Sequence, residues 1–316
     1  MSAPRLLERV LRLCLLIPFA SAPAAYATSY VRGYLVNAVY LPLARADFSI
    51  DLNGDGHADN SFGNLIGALA GQNVDMQSSM NAAVASGSIV HLIGLQSTDA
   101  SFANDPAAVA NWYVGLPAPA PPLFDGTDNL LVDSSIAPGT FVAALSSGSF
   151  TSPSPATTTT PVSLTLRLQL GSTSVSLPLQ GARLSFTTNG EGNLQGQLNG
   201  SIRHNDYMAL VPPALAQSFT AEIQADPTSD AAMQIKAIFD YGCTVGDGFA
   251  NDDVIELCEV TGSSLIKNVL AADVQIRDAD GNYAPNPANT TPDANSIGIH
   301  FSGIRTDRVF ADGFEQ

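Results

Sequence analysis

Asp51, Asn53 and Asp55 stand at alternate positions of one short segment, with Gly54, Gly56 and Asp59 around and after them. A tight loop of that make-up turns several side-chain oxygens toward one point. Calcium requires this, since it takes about six to eight oxygen ligands and uses glycine for the sharp turn of its loop. Asp51, Asn53 and Asp55 fill positions 1, 3 and 5 of such a loop, and Gly56 fills position 6. His57 offers its backbone carbonyl at 7, and Asp59 stands at 9. An EF-hand ends with a bidentate Glu at position 12, where this chain has Phe62. The expected cofactor is calcium, in a structural rather than a signalling role.

Two further acidic segments resemble this one less. Asp240 to Glu256 lies between two predicted helices, as an EF-hand loop does, but it is too long and lacks the alternating acids. It is expected to be a degenerate EF-hand-like helix-loop-helix, stapled by a Cys243–Cys258 disulfide instead of a metal. Asp278-Ala-Asp280-Gly281-Asn282 reads as an ordinary Asx-type turn. Cys243 and Cys258 have no adjacent His and no C-x-x-C spacing. In an oxidising compartment such a pair is expected to bond.

Catalytic signatures are missing from the sequence. It contains no G-x-S-x-G, H-E-x-x-H, Walker or G-x-G-x-x-G motif. His57, His91, His204 and His300 are scattered singly. His204-Asn205-Asp206 could orient a nucleophile, but no Ser or Cys is tied to it by motif. Trp112-Tyr113 could stack on a sugar, although a lone Trp more often packs in a core. A site assembled from residues distant in sequence stays open.

The elements that must position these residues are legible in part. Ala46 to Asp51 reads as a strand leading into the acidic loop. Phe62, Leu65, Ile66 and Leu69 repeat at helical spacing after it. Asp75 to Ser86 reads as a second helix, with Asp75 as N-cap and Gly87 past its end. Ser88 to Leu95 reads as a buried strand, and the prolines of Leu116 to Leu123 exclude regular structure. Leu164, Leu166, Leu168 and Leu170 then alternate with polar residues, and the pattern continues through Val175, Leu184 and Leu194 to Ile202. This predicts a meander with one apolar face. Pro213 is placed at the start of a helix through Leu215, Phe219 and Ile223, and Ser229 caps another. Short helices are expected at Asp252 to Glu259 and from Ser263 or Ser264 onward. Strands return at Val274 to Ile276 and Ile297 to Phe301. The predicted fold class is α+β, an antiparallel β-meander or sandwich packed by several short helices.

Arg5, Arg9 and Arg12, the apolar run Leu13 to Ala20 and Ala25-Tyr26-Ala27 have the order of a cleavable signal peptide, residues 1–27. The apolar run is too short to span a bilayer, and no later segment reaches the length of a membrane helix. The expected organisation is an N-terminal lobe over 28–150 carrying the calcium-type loop, a Pro/Thr-rich loop or linker at 151–161, a β-meander with helical lobe over 162–305, and a tail from 306 to 316. The formal net charge is −16, while only 13% of residues are charged and 45% are hydrophobic. That combination supports a core, attracts cations and disfavours nucleic acid as a partner.

Two stretches together carry a family resemblance: FSIDLNGDGHADNSFGNLIGALAG with VDMQSSMNAAVASGSIVHLIGL, and NLQGQLNGSI with the helical unit and SIGIHFSGI. They resemble uncharacterised exported bacterial proteins with D-x-N-x-D-G calcium-type loops. The resemblance spans most of residues 46 to 304 and implies calcium binding but no activity. Members commonly carry a regular D-x-N-x-D-G-x-I loop where this chain has its cysteine-bearing loop. The terminal V-F-A-D-G-F-E resembles a short export or sorting tail of unrelated exported Gram-negative proteins. The expectation is a secreted, periplasmic or cell-surface protein that binds an extracellular ligand or surface partner, or serves a structural role, without catalysis. The alternative is a secreted hydrolase with no local motif.

Overall fold

The computed structural model describes residues 29–158, 160–189, 192–243 and 252–306. The expected signal segment and the C-terminal tail, apart from residue 306, lie outside them. So do residues 244–251 of the cysteine-bearing loop.

Among the described residues there are nine strands: β1 Tyr30–Tyr40, β2 His91–Ser97, β3 Asp105–Val114, β4 Gly139–Ser146, β5 Ser149–Thr151, β6 Leu164–Leu170, β7 Thr173–Thr188, β8 Leu194–Arg203 and β9 Ala294–Thr306. Among them run α1 Ser61–Ala70, α2 Met76–Ser86, α3 His204–Ala225, α4 Asp230–Phe239 and α5 Leu257–Gly262. The molecule is thus a mostly antiparallel β-structure with a few helices, consistent with α+β.

The sheet order is β5-β4-β3-β2-β1-β9-β8-β7-β6, and β5 also pairs with β7. That additional pairing, over Ser149 to Thr151, closes the strands other than β6 into an antiparallel ring through a short seam. The meander expected from Val162 to Ile202 is the β6–β8 portion of this sheet, with three strands. β7 divides along its length: Thr173–Leu179 pairs with β6, and Gln180–Thr188 pairs with β8, with β5 on its other side at Ser185 to Thr187. The strand bends at a bulge between Gln180 and Arg183, where Gly181 has φ +59°. A Cβ at Gly181 would meet the Tyr283 ring, so the bend needs glycine there.

Period-two alternation sets the faces of each strand. Tyr34 and Val36 join the main core, whereas Leu35 lies on the other face with Val90, Leu92 and Leu130. Trp112, Phe141, Phe150, Phe186 and Phe301 fill the main core. Strands from both sides of the 151–161 segment enter the same ring.

The helices show where local signals were sufficient. Asp75 caps α2 by accepting from the Ser78 N–H at 3.0 Å, and Gly87 ends it at φ +75°. α3 is a correction: it begins at His204, so Pro212 and Pro213 are internal rather than initial. Each proline removes a helix hydrogen bond. The helix continues because Tyr207, Val211, Leu215, Phe219 and Ile223, four apart, are all buried. Ala46 to Asp51 forms no strand, only an isolated bridge between Ile50 and Asp59. The two short helices expected after the cysteine loop reduce to α5 and a run of turns.

Candidate metal centre

The bridge between Ile50 and Asp59 clamps the ends of the acidic loop, and the Asp59 N–H donates to the Ile50 carbonyl at 2.8 Å. Within the clamp the chain turns twice through left-handed glycines, Gly54 at φ +88° and Gly56 at φ +83°. Those turns aim backbone N–H groups inward. Asp51 accepts from Gly54 at 2.6 Å and from Gly56 at 2.9 Å. Asn53 Oδ1 accepts from the Asp55 N–H at 3.2 Å, and Asp55 Oδ1 from the His57 N–H at 2.8 Å. Asp59 Oδ2 accepts from the Leu52 N–H at 3.1 Å.

The result is a convergence of like charges. Asp51, Asp55 and Asp59 each offer an oxygen within 4.8 Å of the others. Asp59 and Asn53 are buried, and His57 is exposed. Burial pushes the Asp59 carboxyl up to about 6, and the negative charges of Asp273 and Asp55 add to the rise. The Leu52 N–H and Arg45 act in the opposite direction. Arg45 lies 3.1 Å from Asp59 and 3.7 Å from Asp273, but its side chain is 45% exposed, so solvent screens much of its effect. The donor set is all oxygen, and each carboxylate oxygen has lone pairs beyond those used by the N–H groups. Such a set fits a hard divalent cation rather than a soft one.

The loop is anchored to the ring. Asn60 caps α1 through the Gly63 N–H at 3.3 Å. It also accepts from the Gly298 N–H at 3.1 Å and donates to the carbonyls of Asp47 and Gly298. Ser61 donates twice to Ser296, from its N–H to the Oγ and from its hydroxyl to the carbonyl, and Ser296 in turn donates to Asp273. Phe62, at loop position 12, is buried in the core and provides no ligand. Sequence reasoning missed Arg45, Asn60 and Asp273. Asn60 carried a weak signal, an Asx residue just before an apolar helical run. Asp273 carried none, because only the folding of β9 beside the loop brings it near. A cleft of about 680 Å³ opens next to the loop, lined in part by Arg45, Asp55, His57, Asn64 and Asp273.

The other singled-out residues lie elsewhere. His91 Nε2 donates to the Arg167 carbonyl at 2.8 Å, and its ring stands 5.0 Å from Trp112. Trp112 is buried, so it offers no sugar platform. His204 Nδ1 meets Asn295 Oδ1 at 2.9 Å and ties the start of α3 to β9. His300 packs between Tyr40 and Phe48. Asp278 accepts from the Asp280 and Asn282 N–H groups and closes a turn. The Cys243 and Cys258 sulfurs stand at disulfide distance, with Cα atoms 6.3 Å apart. Asp240 accepts from the N–H groups of Asp252 and Asp253, on the far side of that loop. Among the described residues no helix is long and apolar enough to cross a membrane.

No protein-family model, curated protein or solved structure matches the chain.

Proposed function

We propose that this is an exported bacterial protein of the D-x-N-x-D-G type, with a structural calcium held by Asp51, Asn53, Asp55, Asp59 and the His57 carbonyl. The observation that carries this reading is the convergence of three carboxylates on a loop clamped at both ends and anchored to β9. Concentrating like charge around a buried Asp59 costs stability in the absence of a cation, and a bound cation offsets that cost. Calcium would tie the 51–59 turn to the ring and give the adjacent cleft a fixed wall. The protein then acts as a non-enzymatic binding or structural module outside the cytoplasm, and the cleft is the place to seek its ligand. His91, His204 and His300 all have structural partners, which favours this reading over a hydrolase. The same reading makes the Asp240–Glu256 segment a degenerate loop stapled by a disulfide.

The test is a thermal melt of the protein in calcium and in chelator. Binding to the folded form alone raises the midpoint. At saturating calcium the expected rise is on the order of 5 °C or more, and Asp55→Ala abolishes it. An equal midpoint in millimolar calcium and in chelator would reduce the loop to a polar turn.

A further inference from the structure

We infer that the outer face of the β-ring, across β1, β9, β8, β7 and β5, is a binding surface for a neutral polysaccharide chain. Strand register puts one side chain from each of these strands in a single row. Tyr40 pairs with His300, His300 with Gln197, Gln197 with Ser185 and Ser185 with Thr151. A second row beside it runs from Ser302 through Gln195 and Thr187 to Ser149. Directly paired residues share a sheet face, and so do residues two apart on one strand. The alternate residues Phe301, Leu198, Phe186 and Phe150 are buried in the core, so both rows point outward. Each member of the two rows is exposed or half-buried.

None of these side chains carries a formal charge at neutral pH, since burial holds the His300 imidazole below its ordinary value. The chain as a whole has a net charge of −16. Water-facing strand positions are where a chain ordinarily places its charged residues, and this one leaves them out here. Interfaces show the same pattern at their centre, with charge depleted and aromatic rings enriched. A charge covered by a neutral partner loses its hydration and gains no counter-charge.

The aromatic component stands at one end of the first row. The His300 ring lies 5.4 Å from Tyr40 and 5.4 Å from Phe48, and Tyr40 is 44% exposed. Tyr40 is the most exposed of the three rings. It offers an apolar face to the C–H side of a pyranose and a hydroxyl to its rim. The side chains of Gln197, Ser185, Gln195 and Thr187 make no hydrogen bond among the described residues. Each can both donate and accept, as a sugar hydroxyl does. Neighbouring positions in a row are about 4.8 Å apart, close to the length of one pyranose unit, so the strands give an extended glycan a repeated contact. An anionic polymer is repelled by the charge of the rest of the chain. The face follows the curve of a closed ring, which suits a single flexible chain better than a flat crystalline surface. It shares no residue with the cleft beside the acidic loop, and the inference does not rest on calcium.

The experiment is an NMR titration of the isotope-labelled chain with maltohexaose, cellohexaose and mannohexaose, with hexagalacturonate as the anionic comparison. The side-chain NH2 signals of Gln195 and Gln197 are identified by their loss in Gln195→Ala and Gln197→Ala. The expected result is a saturable shift of both signals by at least one neutral hexasaccharide and not by hexagalacturonate. Tyr40→Ala should weaken that binding at least about tenfold, as loss of an aromatic anchor predicts. These positions are on the surface, so the variants should fold. Unchanged affinity in Tyr40→Ala overturns the proposal. So does the absence of a shift with every neutral probe, or a shift by hexagalacturonate alone. Binding that moves the side-chain signals of Asn64 and Asn268 instead also overturns it, and assigns the glycan to the cleft those residues line.

Discussion

Phe150 of β5 lies directly opposite Phe186 of β7, with the two rings stacked 5.0 Å apart and 9° from parallel. This pair stands where the sheet closes on itself, and β5 is only three residues long. The backbone seam is correspondingly short, extended by the Ser152 N–H to the Leu184 carbonyl and the Leu184 N–H to Ser152 Oγ. Side-chain packing therefore contributes much of the closure. Phe150→Ala should destabilise the protein by about 3–5 kcal/mol, as for other buried Phe truncations, and expose the β5 and β7 amides to exchange. A loss below about 1 kcal/mol in urea unfolding would show that the ring does not depend on this contact.

Arg45 and calcium are expected to compensate for the same excess charge. Without calcium, Arg45 is the cation beside Asp59 and Asp273, so Arg45→Ala should lower the midpoint measured in chelator. With calcium bound, the charge is already met and the loss should shrink. The calcium-induced rise in midpoint should therefore be larger in Arg45→Ala than in the unmodified chain. A smaller rise would mean that Arg45 helps to hold the ion instead of substituting for it.

His91 should give stability a pH dependence. Burial holds its imidazole down at about 4, against an ordinary value of 6.5. The unfolded chain thus takes up a proton at a pH where the folded chain does not. The stabilisation is complete above about pH 6.5 and is lost as pH falls toward 4, about 3 kcal/mol in all. Melting midpoints across that window should fall more steeply for the unmodified chain than for His91→Leu. Parallel curves would rule out His91 as the group responsible.

The Cys243–Cys258 pair closes a segment with a sequence separation of 15. As a disulfide it should contribute about 3 kcal/mol by restricting the unfolded chain. Converting both residues to Ser should cost that amount, read as a lower denaturation midpoint. In denaturant without reductant neither cysteine should react with a thiol reagent, and labelling at both positions would refute the bond.

Much of the helical structure and the acidic loop were legible in the chain. The caps Asp75 and Ser229 and the stop at Gly87 act within a few residues, so their signals are local. The leucine alternation of β6 is equally local, and every one of those leucines is buried. The left-handed glycines of the 51–59 turn and its alternating oxygens also follow from residue type and spacing. β1 and β3 to β5 were not legible. Tyr30–Tyr40 mixes buried and half-buried residues because both of its faces are covered, so no clean period marks it.

The sequence by itself determined the local geometry: turns, caps, strand faces and the inward-pointing carboxylates, all set by backbone preferences over a few residues. Only the tertiary structure decided that the sheet closes, because the β5–β7 pairing joins segments separated by the Pro/Thr-rich stretch. It also decided that Pro212 and Pro213 lie inside α3, where a buried stripe outweighs two missing hydrogen bonds. Part of what makes the acidic loop chemically distinctive has the same origin. Asp273 reaches the acidic loop because both are tied to β9, Asp273 through Ser296 and the loop's end through Asn60 and Ser61. Residues more than two hundred positions apart then share one local electric field.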